Sequence, residues 1–579
     1  MLAAPAQAQM QQLPAGHSTI AQLLNIPIHP YYNRTITQYE QNSLQSLYRL
    51  NLNQLVWFNT EHPVAQINQL LTHFSQASRD GLNSHDYSTE LLSEHWYKLQ
   101  HSNPSFYEFA VFDTALSLNL LRYLHDLHDG RVNPKQLNFD LPAKKRINFA
   151  TPIYHALKTQ TLPALLAEFE PKLAPYQYLK KALAKYHRLN QYFTKPVFFQ
   201  FEKSLHPGDR SSQISLLEHY LNALNTDVQH AIPSIQTTQT LYTESMANKI
   251  RKLQIAHGLQ GDGIIGKQTL AVLNTPLSQR ITQIELAMER LRWLPDSYQG
   301  AIIFVNIPAF QLWAYHSTTQ PAPSLTMRVI VGKAKAKEAE PDMETRLQTP
   351  IFTEKLNYLV FSPYWNIPKS ILIKEILPLL EQNPEYLAQH HMEIVARFTH
   401  NATPIPATPE NIARLSTGEL KLRQRPNSRN ALGRIKFIFP NDYKVYLHDT
   451  PARGLFQRAQ RDLSHGCIRV ANPEALADFV LSTQAQWDSK AIKTAMHADT
   501  PIIASVKQKI PVLIFYTTAL ANKAGVSFYP DIYTYDPPLQ AALTTRSQYL
   551  ANSVLPTTHT TRINMHKIGA AIQAHPSPR

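Results

Sequence analysis

Only one cysteine occurs in the 579 residues of this chain, within the run Ser464-His465-Gly466-Cys467-Ile468-Arg469-Val470. A lone thiol forms no disulfide within its own chain and makes no metal site by itself. It is then either a small buried apolar residue or a nucleophile, and the neighbours decide. A nucleophilic thiol needs a group that takes its proton, and histidine is the usual one. Two histidines qualify. His448 ends the run "KVYLH", nineteen residues before Cys467, and the stretch between is long enough to loop back and set two β segments side by side. His465 is two residues away, and alternation along an extended segment lets it share a face with the thiol. Proximity alone does not choose between them.

The elements that must carry these residues are β-rich. "AIIFVNIPAFQLWAYH" (301–316), "SLTMRVIVGK" (324–333), "KLNYLVFSPYW" (355–365), "RIKFIFP" (434–440), "KVYLHDT" (444–450) and "GCIRV" (466–470) have the β-branched, turn-bounded character of strands. They predict a β domain over 299–508. "PKSILIKEILPLLEQNPEYLAQHHMEIV" (368–395), which reads as helical, interrupts it, and a Pro/Thr-rich stretch follows to about 416. An insertion at about 367–424, beside the chemistry of a β domain, is a candidate lid. The charged run 333–346 reads as a solvated loop. From 509 the chain is a C-terminal segment, strand-like at first, polar and disordered beyond Leu555.

Upstream the pattern is helical. Residues 31–200 carry apolar residues at i, i+3 and i+4, most clearly in "DTALSLNLLRYLHDLHDG" (113–130), and predict an all-helical scaffold. Residues 1–30 read as the remnant of an export signal and a linker, because Ala6-Gln7-Ala8 has the A-x-A cleavage form. Export to the periplasm is the expectation. No stretch reaches the roughly 18 uninterrupted apolar residues of a membrane span, so contact with a membrane is peripheral at most. The apolar share of 43% and charged share of 17% describe a folded, multidomain α+β chain. A net charge of +14 favours an anionic partner. An RNP motif, zinc finger or concentrated Lys/Arg block is absent, so nucleic acid is not expected.

Between scaffold and β domain, residues 201–278 read as helix, helix, Gly-rich turn, helix, followed by a connecting helix at 279–298. Gly261-Asp262-Gly263-Ile264-Ile265-Gly266 matches G-x-G-x-x-G in form. A dinucleotide site would need a strand before it and a βαβ unit after it, whereas a helix precedes it here. Lys252, Gln254, His257, Gly258, Leu259, Asp262, Gly263, Ile265, Gly266 and Thr269 instead resemble the signature of the three-helix peptidoglycan-binding module, with Leu253 where an aromatic is usual.

The β domain has its own resemblance. "HDTP", then "SHGCIRV", then Asn472, Pro473, Leu476 and Ala477, with "MRVIVGK", "YLVFSPYWNIP", "KEILP" and "NALGRIKFIFPN" around them, resemble the YkuD-type L,D-transpeptidases, in particular their large scaffolded members. The charged stretch between Gly332 and Thr349 is longer than that pattern. The resemblance implies a Cys467 nucleophile, His448 as its base and His465 as a brace of the loop. N–H groups around His465, Gly466 and Cys467 would stabilise an oxyanion. Arg469 would bind a stem carboxylate or form a salt bridge, and Asp449 would orient His448 or cap a turn. Ser464 would meet substrate, and Tyr446 and Trp365 would line the substrate groove or pack as core aromatics. The implied partners are donor and acceptor peptidoglycan stems, together with cell-wall synthesis proteins; no metal and no cofactor are implied. The implied reaction forms 3–3 cross-links through a cysteine thioester. Hydrolysis of the same stems, or a wall-binding scaffold without catalysis, are the alternatives. Papain-type peptidases place Cys before His, the reverse of the order here.

Overall fold

The computed structural model describes residues 17–226, 240–317, 322–334, 347–383 and 385–554. The leader-like residues 1–16, the tail beyond 554 and most of the charged run (335–346) lie outside them.

The helix Phe106–Asp129 runs through the first core. A reciprocal Ser105/Glu108 capping box starts it, and Gly130 at φ +88° ends it. Its buried Asp113 accepts the Val56 and Trp57 N–H groups at 3.0 and 2.9 Å and the Tyr48 hydroxyl, while burial pushes its carboxyl up to about 6. The linker expected up to residue 30 is partly helix: His17–Asn25 buries Ile20, Leu23 and Leu24, whose spacing makes one apolar stripe. This core ends at Phe169. The next helix, Ala174–Tyr192, buries Tyr176, Leu179, Leu183 and Leu189 in a second core shared with everything downstream except the insertion. The helical region is also not purely helical, because Phe139–Asp140 forms a strand, β1.

In the small module the Gly-rich turn follows the helix Glu244–Ala256 and leads into Lys267–Leu273. Gln254 organises it from that first helix. Its amide donates to Asp262 Oδ1 (2.8 Å), the Ile264 carbonyl (2.9 Å) and Thr269 Oγ1 (3.0 Å), and its oxygen accepts the Gly263 N–H (2.8 Å). These are fold-holding bonds made by residues of one short segment.

The strands β2 (Ile302–Asn306), β3 (Gln311–Tyr315), β4 (Leu325–Gly332), β5 (Ile351–Phe361), β9 (Ile435–Ile438), β10 (Leu447–His448), β12 (Ile468–Val470) and β13 (Ile502–Phe515) form a ring. Its order is β5-β13-β2-β3-β4-β12-β10-β9, and β9 pairs back onto β5. A short β11 (Asp462–Ser464) pairs with β4, and β1 adds to β5 at Ile351 and Phe352. Strand β13 crosses residue 508, so a division of the chain there would cut it.

The insertion is a unit with its own core of Ile367, Leu372, Ile376, Leu380, Leu387, Ile394, Leu415, Leu420 and Leu422. It is less helical than its sequence suggests. Strands β6 (Trp365–Asn366), β7 (Met392–Val395) and β8 (Lys421–Gln424) form a small sheet in the order β6-β8-β7. The Pro/Thr-rich stretch contains a helix, Pro409–Thr417, capped by Thr408. Residues Leu372–Ile376 make a π turn just before Pro378, a residue that lacks an N–H and crowds the carbonyl four residues back.

After β13 the hairpin β14 (Ala519–Asn522) and β15 (Gly525–Phe528) leads to the helix Asp536–Asn552, which the sequence reading did not identify. Arg546 on that helix reaches the scaffold, bonding Asp86 at 2.9 Å and Asp126 at 2.7 Å.

Candidate active site

Pairing register decides which side chains leave the barrel. Leu447 lies between Phe437 and Ile468, and all three are fully buried in the core. Successive residues of a strand point to opposite faces, so His448, between Lys436 and Arg469, points outward. The row continues to Val360 on β5 and Ile330 on β4, two buried aliphatic walls. Tyr446 and Cys467 lie two positions from His448 and Arg469 along their strands and share that outer face. The Tyr446 and His448 rings are 5.7 Å apart.

Among the described residues no hydrogen bond joins His448 to Cys467; the thiol donates to the Lys444 carbonyl at 3.9 Å and also faces Tyr446. His448 Nδ1 meets the Asp449 main-chain carbonyl at 2.6 Å. A carbonyl only accepts, so Nδ1 carries the proton and Nε2 keeps a free lone pair. Orientation of the base thus comes from the backbone of Asp449. The Asp449 carboxylate works elsewhere, accepting the Arg434 and Thr450 N–H groups at 2.8 and 2.7 Å and pairing with Arg453 at 2.7 Å. Gly433 makes room for it, since a Cβ there would come within 2.3 Å of Asp449.

Burial, with the Arg469 charge, holds the His448 imidazole down at about 3, while burial pushes the Cys467 thiol up against the opposing pull of Tyr446 and Arg469. The resting pair at neutral pH is therefore a thiol and a neutral imidazole, a nucleophile and a base that is free to accept. Among the described residues Arg469 has no carboxylate partner, and its Nε is buried without a hydrogen bond. Burial lowers Lys436 as well. Among the described residues no carboxylate compensates Arg469 and Lys436 on this face, which suits a carboxylate-bearing ligand.

The loop before the thiol closes on itself. Ser464 Oγ donates to the Cys467 carbonyl (2.5 Å) and accepts the Gly466 N–H (3.2 Å). Ser464 is buried, so the expectation that it meets substrate is corrected: both its hydrogen-bonding roles are used within the loop. The Gly466 N–H is used in the same way and drops out as an oxyanion donor. The His465 and Cys467 N–H groups have no acceptor among the described residues. Gly466 stands at φ +108°, a conformation open to glycine.

His465 lies in the turn between β11 and β12, not within a strand. It turns outward, its Nε2 2.8 Å from Glu375 on the insertion's π turn. Trp365, expected in the groove or in a core, packs against the insertion's own core. Register therefore brings Cys467, His448, Tyr446 and Arg469 together, and leaves Ser464, His465 and Trp365 in other roles. Sequence reasoning missed Lys436, although a lysine within the apolar "RIKFIFP" signals an outward position. It also missed Glu375, which lies in "KEILP", and Thr349.

Comparison with known proteins bears on this site. Residues 300–504 match the YkuD family, described as "L,D-transpeptidase catalytic domain". Residues 42–183 match "Scaffold domain", and 210–273 match "Putative peptidoglycan binding domain". A Haemophilus influenzae protein named "Putative L,D-transpeptidase" is 32% identical over 296 residues, 50% of this chain and 56% of that protein. The chain thus spans about half the length of the curated relative it matches. Among solved structures, an L,D-transpeptidase from Xylanimonas cellulosilytica (residues 123-326) is 14% identical with a TM-score of 0.17, covering 55% of this chain and 100% of that one. A fused Zn-dependent amidase/peptidase/peptidoglycan-binding protein from Clostridium acetobutylicum is 12% identical with a TM-score of 0.14, covering 54% and 99%. Likenesses so distant in geometry carry no argument.

Proposed function

Because the chain carries a YkuD-type L,D-transpeptidase catalytic domain together with a peptidoglycan-binding domain, we propose that it joins peptidoglycan stems by 3–3 cross-links through a thioester on Cys467. The observation that carries this reading is the outward row of the barrel: a thiol, an imidazole with a free Nε2 and an unpaired guanidinium on adjacent strands.

His448 Nε2 takes the thiol proton as Sγ attacks the carbonyl of the third stem residue, an L-centred diamino acid. The developing oxyanion accepts hydrogen bonds from the Cys467 and His465 N–H groups. The tetrahedral adduct collapses, its C–N bond breaks, and His448 returns the proton to the leaving D-Ala amine. Arg469 holds the terminal carboxylate of the donor. The side-chain amine of a second stem then attacks the thioester, loses a proton to His448 and expels the Cys467 thiolate, which is reprotonated. The insertion serves as a lid. Its Glu375 is bonded to His465 beside the thiol, and closure keeps water from the thioester while the amine arrives.

The substrate lies outside the cytoplasmic membrane, and the reading places the protein in the periplasm. None of the helices among the described residues is long and apolar enough to cross a membrane.

Isolated muropeptides test the proposal. The wild-type protein should yield cross-linked dimer, and Cys467→Ala should yield neither dimer nor trimmed tripeptide while keeping its circular dichroism. A carbapenem, whose β-lactam carbonyl lies near a carboxylate, should leave one adduct on the wild-type chain by intact mass and none on Cys467→Ala. Tripeptide without dimer would make the protein a hydrolase of the same stems. Turnover by the alanine variant would remove Cys467 from the chemistry.

A further inference from the structure

The peptide unit joining Gly466 to Cys467 is held from one side by a chain of hydroxyls that ends outside the catalytic match at 300–504. Thr349 Oγ1 donates to the Gly466 carbonyl at 2.8 Å and accepts the Gly332 N–H at 2.8 Å. Tyr533, in the C-terminal segment, donates its hydroxyl to the Gly332 carbonyl at 2.6 Å and accepts the Thr349 N–H at 3.1 Å. Carbonyls only accept, so every donor direction is fixed. Thr349 is fully buried and Tyr533 nearly so. Gly332 permits the close approach: a Cβ there would stand 2.1 Å from the Leu347 carbonyl.

Tyr533 is itself held firmly. Its N–H donates to the Tyr516 hydroxyl at 2.9 Å, and Asp531 accepts the Tyr535 and Asp536 N–H groups, each at 2.9 Å. Arg290, fully buried, bonds Asp536 at 2.5 Å and the Tyr535 carbonyl at 2.9 Å.

In a trans peptide the C=O and the following N–H point in opposite directions. Fixing the Gly466 carbonyl towards Thr349 therefore aims the Cys467 N–H away from it, and that N–H is one of the two without an acceptor among the described residues. We propose that Thr349 and Tyr533 are positioning residues that orient the Gly466–Cys467 peptide as the donor to the oxyanion formed when Cys467 is acylated. This rests on Cys467 being an acyl-accepting nucleophile, as proposed above, but not on the identity of the stem. The hydroxyls touch no reacting atom; they act through the peptide plane.

The test compares two reactions of the same thiol in the full chain. Acylation by p-nitrophenyl acetate passes through a tetrahedral oxyanion, whereas alkylation by iodoacetamide is a displacement at carbon and forms none. Both are read as mass shifts on Cys467. Thr349→Val should slow acylation about 10- to 100-fold, below the 10²–10³ of deleting a donor outright, and Tyr533→Phe about 10-fold. Alkylation should stay within about twofold, and Thr349→Ser, which keeps the hydroxyl, should restore acylation. Acylation and alkylation falling together, or neither falling in both Thr349→Val and Tyr533→Phe, would overturn the proposal, as would a wild-type chain that alkylates but does not acylate. If one variant fails to fold, the other decides by the same ratio. If muropeptides stay untouched while the ester acylates and the variants respond, the stem reading fails and the positioning role stands.

Discussion

Two glycine-containing loops of this chain are held from different places. The turn Gly261–Gly266 is pinned from within its own small module, by Gln254 just upstream, by the Tyr242 hydroxyl on the Gly263 carbonyl (2.7 Å) and by Leu205, whose backbone exchanges two hydrogen bonds with Ile265. The loop Ser464–Cys467 is pinned internally by Ser464 on one side and, on the other, by Thr349 and Tyr533, more than a hundred residues before it and over sixty after it. The first loop stores only fold; the second aims a donor. Pinning from within one module suits a turn that must be stable, while pinning from outside lets several elements of a barrel set one peptide plane.

Matched glycine substitutions should break that comparison most sharply. Gly466→Ala places a side chain at φ +108°, which costs about 1–3 kcal/mol of strain. It should also cut acylation of Cys467 by about 100-fold or more, because relief of the strain rotates the donor peptide. Gly263→Ala, at φ +78° with Arg251 Nε 3.0 Å from the new Cβ, should cost similar stability. Its acylation rate with a soluble ester should stay unchanged. Denaturant unfolding and ester acylation measured on both variants check the pair, and equal activity losses would erase the distinction.

Buried histidines sharpen it next. Burial holds both His257 of the module and His448 of the site at about 3. Unfolded, each takes its proton near 6.5; folded, neither does until far lower. Stability is therefore lost as pH falls from about 6.5 towards 3, by about 2 kcal/mol at pH 5 for the buried His448 and by less for the half-buried His257. His257→Gln should remove the smaller share from the difference in unfolding free energy between pH 7 and pH 5, and leave the pH profile of acylation in place. His448→Gln should remove the larger share and abolish acylation by the ester. An unchanged pH 7-to-5 difference in His257→Gln would contradict its neutral burial.

The smallest effect is expected at the insertion. The Glu375–His465 pair is half exposed, and such pairs contribute about 0–1 kcal/mol. Glu375→Gln should shift product from dimer towards trimmed tripeptide by no more than about fivefold, read by chromatography of muropeptide digests. A larger shift would mean that the pair does more than latch the insertion.

How much of this was legible in the sequence follows the same division. His448 and Cys467 were legible because their residue types stand in a short, ordered motif, and the strands around them because their apolar residues alternate. The module was legible because its signature residues stand in one short run, Lys252 to Thr269. Tyr533 was not, since nothing within "DIYTYDPP" distinguishes a hydroxyl that reaches Gly332 from any other tyrosine. Trp365 stood open between groove and core because an aromatic beside a β strand packs equally well into either, and here the insertion supplies that core. The choice between Asp449's carboxylate and its carbonyl as the orienter of His448 depends on a single hydrogen bond that no spacing reveals.

The two-residue strand β1 has a consequence beyond architecture. Strand β9 closes the ring against β5 only over Tyr358–Phe361, and Phe139 and Asp140 occupy β5 at Ile351 and Phe352. Tyr443 reaches across to Asp140 at 3.2 Å. Without β1, that end of the barrel would present bare N–H and C=O groups, an open edge on which a strand of another molecule can pair. A chain beginning at residue 300 would keep every residue of the acylation site and yet expose a template for self-association. The helical region, which supplies no group to the chemistry, is in this sense the part that covers this edge of the barrel.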